Sequence, residues 1–246
     1  MTGFEREPIT VTTSWDDGHG LDLHLAALLD EFALPGTFYI APASGEFAPA
    51  ERLSRSEIAV ISEQFEIGAH TLTHPRLTSL TREAAWQEIV GSRMYLEDVT
   101  GCQVSSFCYP GGVFGPDHVQ MVREAGFTYA RTVRRFALDA GTDLLRSPTT
   151  VHAYCHLVDV IPALTYATFK PVKAWSLYQH WDRLAMCLFD RVLNEGGVFH
   201  LWGHSWEIAQ YNQWAALRRV FAYVARRSGV RYIANCAIPS VVGGVL

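Results

Sequence analysis

The chain has 246 residues, of which 49% are hydrophobic and 18% charged, so it can bury a large core and lacks the composition typical of disorder. Its net charge of −5 excludes a general nucleic-acid binder, and no apolar stretch reaches the roughly 20 residues needed to span a membrane. The five cysteines form no Cys-x-x-Cys pair, which is typical of free thiols in a reducing compartment. We expect a single domain over residues 1–246.

The N-terminal half alternates short β-type runs with helical ones. Strands are predicted at residues 9–14, 36–41, 65–69 and 104–108, and helices at residues 21–32, 54–64, 81–100 and 116–125. Ser54 and Glu57 form a capping box at the start of the second helix. The chain does not open with a basic region followed by an apolar run, so no signal peptide is predicted and we expect a cytoplasmic protein.

The C-terminal half continues this alternation. It predicts strands at residues 128–132, 198–202 and 230–234, a strand with a loop in residues 144–154, and helices at residues 175–194 and 207–227. Residues 154–173 lack periodicity and are predicted to form a substrate-binding loop or lid. Strand–helix alternation predicts an α/β fold with a mostly parallel sheet closed into a barrel, whose reactive groups lie at the carboxyl ends of the strands.

Two histidines, His70 and His74, stand four residues apart directly after one predicted strand. If one turn of helix forms there, both imidazoles share a face and can reach one metal ion. Pro75 limits how that turn continues. Two surface histidines would show the same spacing, so the pair alone leaves both interpretations open.

Two adjacent carboxylates, Asp16 and Asp17, end the first predicted strand and precede Gly18. A metal held by two histidines needs a third ligand, usually a carboxylate, and a hydrolase needs a second carboxylate as general base. A turn at Gly18 would free the pair from strict alternation across the sheet. An Asx turn before a helix would have the same residues, but the histidine pair at a nearby strand end favours a metal site.

Four sequence blocks, TSWDDG, GAHTLTHP, FCYPGG and FHLWGH, follow one another in this order between Thr13 and His204. They resemble the signature blocks of polysaccharide deacetylases, the NodB-homology domains of carbohydrate esterase family 4. The resemblance implies an irregular (β/α) barrel of seven to eight mostly parallel strands. It also implies that Asp17, His70 and His74 bind one divalent metal ion, most commonly Zn²⁺, with Co²⁺, Ni²⁺, Fe²⁺ or Mn²⁺ as alternatives. Asp16 would be the general base.

The FCYPGG block resembles the family loop that frames the groove and supplies backbone amides to the oxyanion. By this resemblance Pro110 and Gly111 border the substrate and the main-chain N–H of Tyr109 is the donor, as acyl transfer requires a fixed N–H near the developing charge. Cys108 stands where many members have an arginine that orients the base. Arg146, at a later strand end, is a candidate replacement, although an ordinary surface ion pair would explain it equally well.

The last block resembles the family's Leu-x-His motif, whose histidine protonates the leaving amine. Trp202 and His204 match it best, with Trp202 as the wall of the acetyl pocket, while His200 is either an alternative acid, a partner deeper in the barrel or a core histidine. The acidic partner that this histidine has in the family is not evident. The remaining histidines are expected to be ordinary surface or loop residues: His19, His24, His118, His152, His156 and His180.

The sequence therefore predicts a metal-dependent hydrolase that removes N-acetyl or O-acetyl groups from an amino sugar, an oligosaccharide or a surface-glycan precursor. One alternative is an amidohydrolase of the same fold that acts on cyclic amides or imides, such as allantoin. A second alternative is a non-catalytic carbohydrate-binding relative. A serine esterase centred on Ser205 is disfavoured, because no histidine follows it in the chain. The sugar, the metal and the oligomeric state do not follow from the sequence.

Overall fold

The computed structural model of the chain describes residues 8–159, 161–162 and 179–242. Its strands are β1 (Ile9–Asp17), β2 (Thr37–Ile40), β3 (Glu66–Ala69), β4 (Ser106–Cys108), β5 (Tyr129–Arg131), β6 (Val151–His152), β7 (Gly197–Gly203) and β8 (Val230–Tyr232). The helices of this part of the chain are α1 (Asp22–Phe32), α2 (Arg55–Ser62), α3 (Arg82–Thr100), α4 (Pro116–Glu124), α5 (Trp181–Glu195), α6 (Ser205–Gln210), α7 (Trp214–Val224) and α8 (Ile238–Val242). Much of the predicted loop at 154–173 and the start of the helix predicted at 175–194 lie outside the described residues.

The strands form one parallel sheet in the order β5-β4-β3-β2-β1-β7-β6, and β8 pairs with the first residues of β1. The chain before β6 connects the two edges: Ser147 pairs with Arg131 of β5, and the N–H of Thr150 donates to the carbonyl of His200 in β7. The sheet therefore curls into an irregular barrel, and the predicted fold class is confirmed.

The central strand, β1, shows why one side of the sheet is polar. Thr12, Ser14 and Asp16 point into the barrel, where Thr12 bonds Asn235 at 2.8 Å and Ser14 bonds His200 at 2.8 Å. Residues of the alternate set face the helices, as Trp15 does where it packs edge-on against Phe221 of α7. Because the interior of the barrel is polar, the apolar core lies between the sheet and its outer helices.

The local signals for helix ends are present where they were predicted. Ser54 caps α2, with its hydroxyl accepting from the Glu57 N–H and the Glu57 carboxylate accepting from the Ser54 N–H. One prediction was wrong: the single helix expected at 207–227 is two helices, α6 and α7. Asn212 adopts a left-handed φ of 53° between them, which ends α6 and redirects the chain.

No helix in the described part of the chain combines the length and apolar character required to cross a membrane.

Candidate active site

The two aspartates at the end of β1 reach the same cleft because the strand loses its alternation there. Asp16 is still in the regular strand and faces the barrel interior, but Asp17 has φ 86° and Gly18 has φ 75°. This left-handed turn brings Asp17 to the side on which Asp16 lies. His204 Nε2 is accordingly 4.0 Å from Asp16 Oδ2 and 3.9 Å from Asp17 Oδ2.

The histidine pair follows β3 in a tight loop rather than in a turn of helix. Thr71 and His74 both have left-handed φ values, 65° and 62°, so the conditional expectation of helical geometry was wrong. The loop nevertheless places His70 Nε2 3.1 Å from His74 Nε2. A compact turn with two left-handed residues therefore brings the two imidazoles together, as a shared helix face would.

Asp17, His70 and His74, which we call the first donor set, have donor atoms spaced as the ligands of one metal ion. Asp17 Oδ1 lies 3.6 Å from His70 Nε2 and 3.5 Å from His74 Nε2. Ligands about 2.0–2.2 Å from a tetrahedral ion lie roughly 3.3–3.6 Å apart. The residues present therefore fit a zinc-type site with three protein ligands and an open position.

The outer atoms of the first donor set are held by further contacts. His70 Nδ1 is 2.7 Å from the carbonyl of Cys108, and His74 Nδ1 is 3.0 Å from Glu46 Oε1. The indole N–H of Trp206 donates to Asp17 Oδ2 at 2.8 Å. Such contacts orient metal-binding side chains. The Cys108 carbonyl fixes the His70 tautomer that leaves Nε2 free, whereas His74 Nδ1 lies close to Glu46 without hydrogen-bond alignment.

Asp16 is held by an arginine that the sequence did not identify. The buried guanidinium of Arg131, at the end of β5, forms an ion pair with Asp16 Oδ1 and lies over the Trp202 ring at 4.5 Å. Burial alone raises the pKa of Asp16, but the charges of Arg131, His70 and His204 together with the Arg131 hydrogen bond outweigh it and hold the pKa well below its usual range. Cys108 fills the remaining space, with Sγ 3.7 Å from Asp16 Oδ2.

Arg146 does not take the place of the family arginine. It is half-exposed and faces Asp143 at 3.5 Å, as an ordinary surface ion pair does. The cation that replaces it comes from β5 because β5 pairs with β4, so that Arg131 stands beside Cys108 in the register.

The FCYPGG loop reaches the cleft, but the Tyr109 N–H that was expected to face the substrate is bonded to another backbone carbonyl. The N–H of Tyr109 donates to the carbonyl of Arg131 at 3.5 Å, just beyond the end of β4. Pro110 has no N–H and is buried in a short turn. Gly111 is exposed, has φ 58° and lines the cleft. The expected donor Tyr109 is therefore already engaged, and Gly111 is the next residue of the loop with an N–H.

His204 follows β7 and is held by a carboxylate from the next turn of chain. Its Nδ1 is 3.2 Å from Glu207 Oε2, and the same oxygen is 3.1 Å from His152 Nε2. Burial alone would lower the pKa of His204, but the hydrogen bond to Glu207 and the charges of Asp17 and Asp16 raise it to about 9. His204 is thus a protonated group aimed at the two aspartates.

The other two residues of the FHLWGH block lie at different depths. Trp202 is buried, lines the cleft and stacks on His152 with a centroid separation of 3.8 Å. His200 lies deeper, on Ser14, and burial lowers its pKa to about 3. His200 does not line the cleft, so it is neither the alternative acid nor a residue that contacts the substrate, and the core-histidine interpretation fits. It is a hydrogen-bonded histidine of the barrel interior.

The aspartates, both donor histidines, Gly111, Trp202, His204 and Glu207 line one cleft of about 340 Å³ at the carboxyl ends of the strands. Sequence reasoning missed Arg131, which lies behind Asp16, and several lining residues, among them His152, His156 and Glu207. His152 and His156 are four apart, as His70 and His74 are, and their nearest ring nitrogens are 2.7 Å apart, so this spacing could have found them. Glu207 could have been found as the carboxylate three residues after His204. Arg131 has no local signal other than its position at a strand end.

Comparison with known proteins supports the same family and fold. A family model described as polysaccharide deacetylase matches residues 5–130, just over half of the chain. Among solved structures, a Mycobacterium smegmatis protein assigned to the polysaccharide deacetylases superposes with a TM-score of 0.67 at 19% identity, covering 99% of this chain and 93% of that one. A family 4 carbohydrate esterase from Streptomyces lividans, in complex with acetate, gives a TM-score of 0.57 at 16% identity over 92% of each chain.

The deacetylase PplD from Streptococcus pyogenes, also in complex with acetate, gives a TM-score of 0.51 at 18% identity and covers 56% of this chain. The present chain spans 62% of the length of that protein. No curated protein matched the sequence. At these identities the structural likeness shows the fold.

The curled parallel sheet with its cleft at the strand ends defines the class, a deacetylase-type (β/α) barrel. The family model covers more than half of the sequence. The chain belongs to the polysaccharide deacetylase family.

Proposed function

We propose that the protein is a metal-dependent deacetylase that hydrolyses the N-acetyl group of an amino sugar or of a short glycan containing one. Family membership supports deacetylation of sugars, and the first donor set supports metal dependence. Asp17, His70 and His74 would hold the ion, with Zn²⁺ the best match to two imidazoles and one carboxylate. When bound, the ion supplies a water of lowered pKa and polarises the acetyl carbonyl.

Asp16 is the proposed general base. It is ionised at neutral pH because Arg131 stabilises its charge, and its second oxygen, Oδ2, faces the cleft beside His204. The Arg131 contact also fixes the direction of the carboxylate, since the guanidinium is itself held over Trp202. A base held in this way takes a proton from the attacking water without having to be reoriented.

His204 is the proposed general acid. Protonated by virtue of Glu207 and the aspartates, it presents Nε2–H to the space above Asp16 and Asp17, where the leaving amine would form. Transfer of that proton turns the amine into a leaving group, and the Glu207 hydrogen bond keeps the ring in place during the transfer.

The oxyanion is assigned to the FCYPGG loop. Since the Tyr109 N–H is bonded to the Arg131 carbonyl and Pro110 has none, the Gly111 N–H is our candidate donor for the developing negative charge. Trp202 closes the base of the cleft beside it and would contact the acetyl methyl group.

The observation that carries the proposal is the placement of a base, an acid and three ligand atoms around one cleft. Its test is acetate release from N-acetylglucosamine, its short β-linked oligomers and nucleotide-linked N-acetylglucosamine, with the zinc-loaded protein. We expect release that is abolished by chelation and restored by Zn²⁺, and that falls about 10²–10⁴-fold in Asp16→Asn while zinc binding is retained.

The matched variant is Asp17→Asn, which should lose both zinc binding and activity. Equal activity in Asp16→Asn and the native protein would refute the mechanism. Hydrolysis of allantoin or of a cyclic imide, without acetate release from any sugar, would instead assign the same site to the amidohydrolase alternative. Retained oligosaccharide binding without hydrolysis of any of these substrates would indicate the non-catalytic alternative.

A further inference from the structure

The cleft contains a second cluster of two imidazoles and a carboxylate, next to the first donor set. His152 Nε2 is 3.1 Å from Glu207 Oε2, and His204 Nδ1 is 3.2 Å from the same oxygen. The three donor atoms all lie within 4.8 Å of one another. We call His152, His204 and Glu207 the second donor set.

Two of the three spacings in the second donor set are close to those in the first, and the third is within 4.8 Å. Neighbouring donors are 3.1 and 3.2 Å apart here and 3.1 to 3.6 Å apart there. Two imidazole nitrogens and one carboxylate oxygen at this spacing can bind one ion at about 2.0–2.2 Å, in the donor combination that zinc enzymes use.

One close contact in the cluster lacks the alignment of a hydrogen bond and leaves room for an ion. His152 Nε2 is buried and lies close to Glu207 Oε2, yet its direction does not meet hydrogen-bond geometry, and it has no hydrogen-bond partner among the described residues. A buried ring nitrogen without a partner is costly, and such groups are uncommon in folded proteins. A cation between the nitrogen and the oxygen would satisfy both.

The other nitrogen of His152 is already supported. His152 Nδ1 is 2.7 Å from His156 Nε2, and the Trp202 ring stacks on the face of His152. If Nδ1–H donates to His156, the lone pair of Nε2 points into the cluster. Histidines that bind metal commonly donate their other N–H to a neighbour in this way, which fixes the tautomer and the ring direction.

We propose that His152 Nε2, His204 Nδ1 and Glu207 Oε2 form a second divalent-metal site, whose donors suit Zn²⁺ and which is occupied at concentrations above those that fill the first. The site regulates the enzyme, because its ion takes the position of the proton on His204 Nδ1. The remaining proton, on Nε2, then belongs to a neutral ring, which is a far weaker acid than an imidazolium ion. Excess zinc therefore inhibits. The binding site stands on geometry alone, whereas the inhibition rests on the proposed role of His204.

The binding test is equilibrium dialysis of the metal-stripped full chain against Zn²⁺, with bound zinc measured by mass spectrometry. We expect two zinc ions per chain for the native protein, the second bound more weakly. His152→Gln and Glu207→Gln should each bind one ion, with the second affinity reduced at least about tenfold. His180→Gln, an exposed histidine outside both donor sets, should still bind two.

Two variants are used because His152 is buried and its replacement alone could destabilise the fold, whereas Glu207 belongs to a separate helix. One ion in the native protein, or two in both variants, would overturn the site. Co²⁺ gives an independent reading, since a second tetrahedral ion roughly doubles the visible absorption that one produces in the two variants.

The regulatory test measures acetate release at one and at many equivalents of Zn²⁺. The ratio of the two rates is compared between proteins, so a lower basal rate in a variant does not affect the result. The native rate should fall at least about tenfold, and the rate of His152→Gln should not fall. Equal inhibition in both would overturn the regulatory role. If the native protein releases no acetate at any zinc level, the proposed function has failed, and the binding measurement still decides whether the second site exists.

Discussion

The two donor sets of the cleft consist of the same side chains, two histidines and one carboxylate, in opposite arrangements. In the first donor set the two imidazoles approach each other, and the carboxylate of Asp17 stands apart with its other oxygen bonded to Trp206. In the second donor set a carboxylate oxygen of Glu207 stands between the two imidazoles.

The position of the carboxylate decides what each set does best. Glu207 helps to keep His204 protonated, whereas burial lowers the pKa of His152, on the other side of the same oxygen, to about 3. Two facing imidazoles disfavour protonation, and burial together with the neighbouring His74 lowers the pKa of His70 to about 4. Two imidazoles and a carboxylate therefore form the stronger metal site in the first donor set and hold a proton donor, His204, in the second.

The largest effect is expected at Arg131, which pairs with the base between the two donor sets. Arg131→Gln leaves Asp16 buried without its cation, so the free energy of unfolding should fall by about 3–5 kcal/mol in urea titration. Arg146→Gln is the matched control, because its half-exposed pair with Asp143 is worth about 0–1 kcal/mol. Similar losses in both variants would show that Asp16 is not held by Arg131.

The next effect is a pH dependence in which His204 acts with one sign and the buried His152 and His70 act with the other. In the metal-free protein His204 has a folded pKa of about 9, above its usual 6.5, so it stabilises the fold fully below pH 6.5 and loses this contribution as the pH rises to 9. The loss in unfolding free energy should amount to at most about 3 kcal/mol.

Below pH 6.5 the sign reverses. Burial lowers the pKa of His152 to about 3 and of His70 to about 4, so the unfolded chain takes up protons that the folded chain does not, and stability falls as the pH drops towards these values. Urea titrations between pH 4 and 9 should give a maximum near pH 6.5, and Glu207→Gln should flatten the alkaline side. An alkaline side unchanged by that variant would separate Glu207 from the protonation of His204.

A third experiment compares, for each donor set, the carboxylate that faces an imidazole Nδ1 atom. Glu207→Gln should lower the kcat for acetate release about 10–100-fold with little change in KM or in the affinity of the first zinc, since Glu207 acts on the acid. Glu46→Gln should do the reverse, weakening the first zinc by no more than about tenfold because Glu46 is half-exposed, with kcat restored at saturating zinc. If both variants changed the same parameter, the division between the two donor sets would not hold.

The smallest effect is expected at Trp206, which holds the free oxygen of Asp17. Trp206→Phe keeps most of the ring and removes the N–H donor, so the affinity for the first zinc should fall about tenfold, with about 1 kcal/mol lost from stability. Dialysis against Zn²⁺ measures the first quantity and urea titration the second. An unchanged zinc affinity would mean that the remaining contacts of Asp17 suffice to orient it.

The sequence by itself determined the family, the order of most strands and helices, and the grouping of Asp17, His70 and His74. These rest on local patterns: a strand that ends in two carboxylates, a capping box, and two histidines four residues apart. Each pattern lies within a few residues of chain, where spacing limits what the side chains can do.

Only the tertiary structure brought Arg131 to Asp16 and His152 to Glu207. Arg131 is 115 residues from Asp16, and His152 is 55 residues from Glu207; these pairs meet because β5 registers with β4 and because the chain before β6 joins the edges of the barrel. Such contacts depend on strand register and closure, which no local spacing encodes. The same reason explains why Cys108 could stand in the arginine position: the cation arrives from the neighbouring strand.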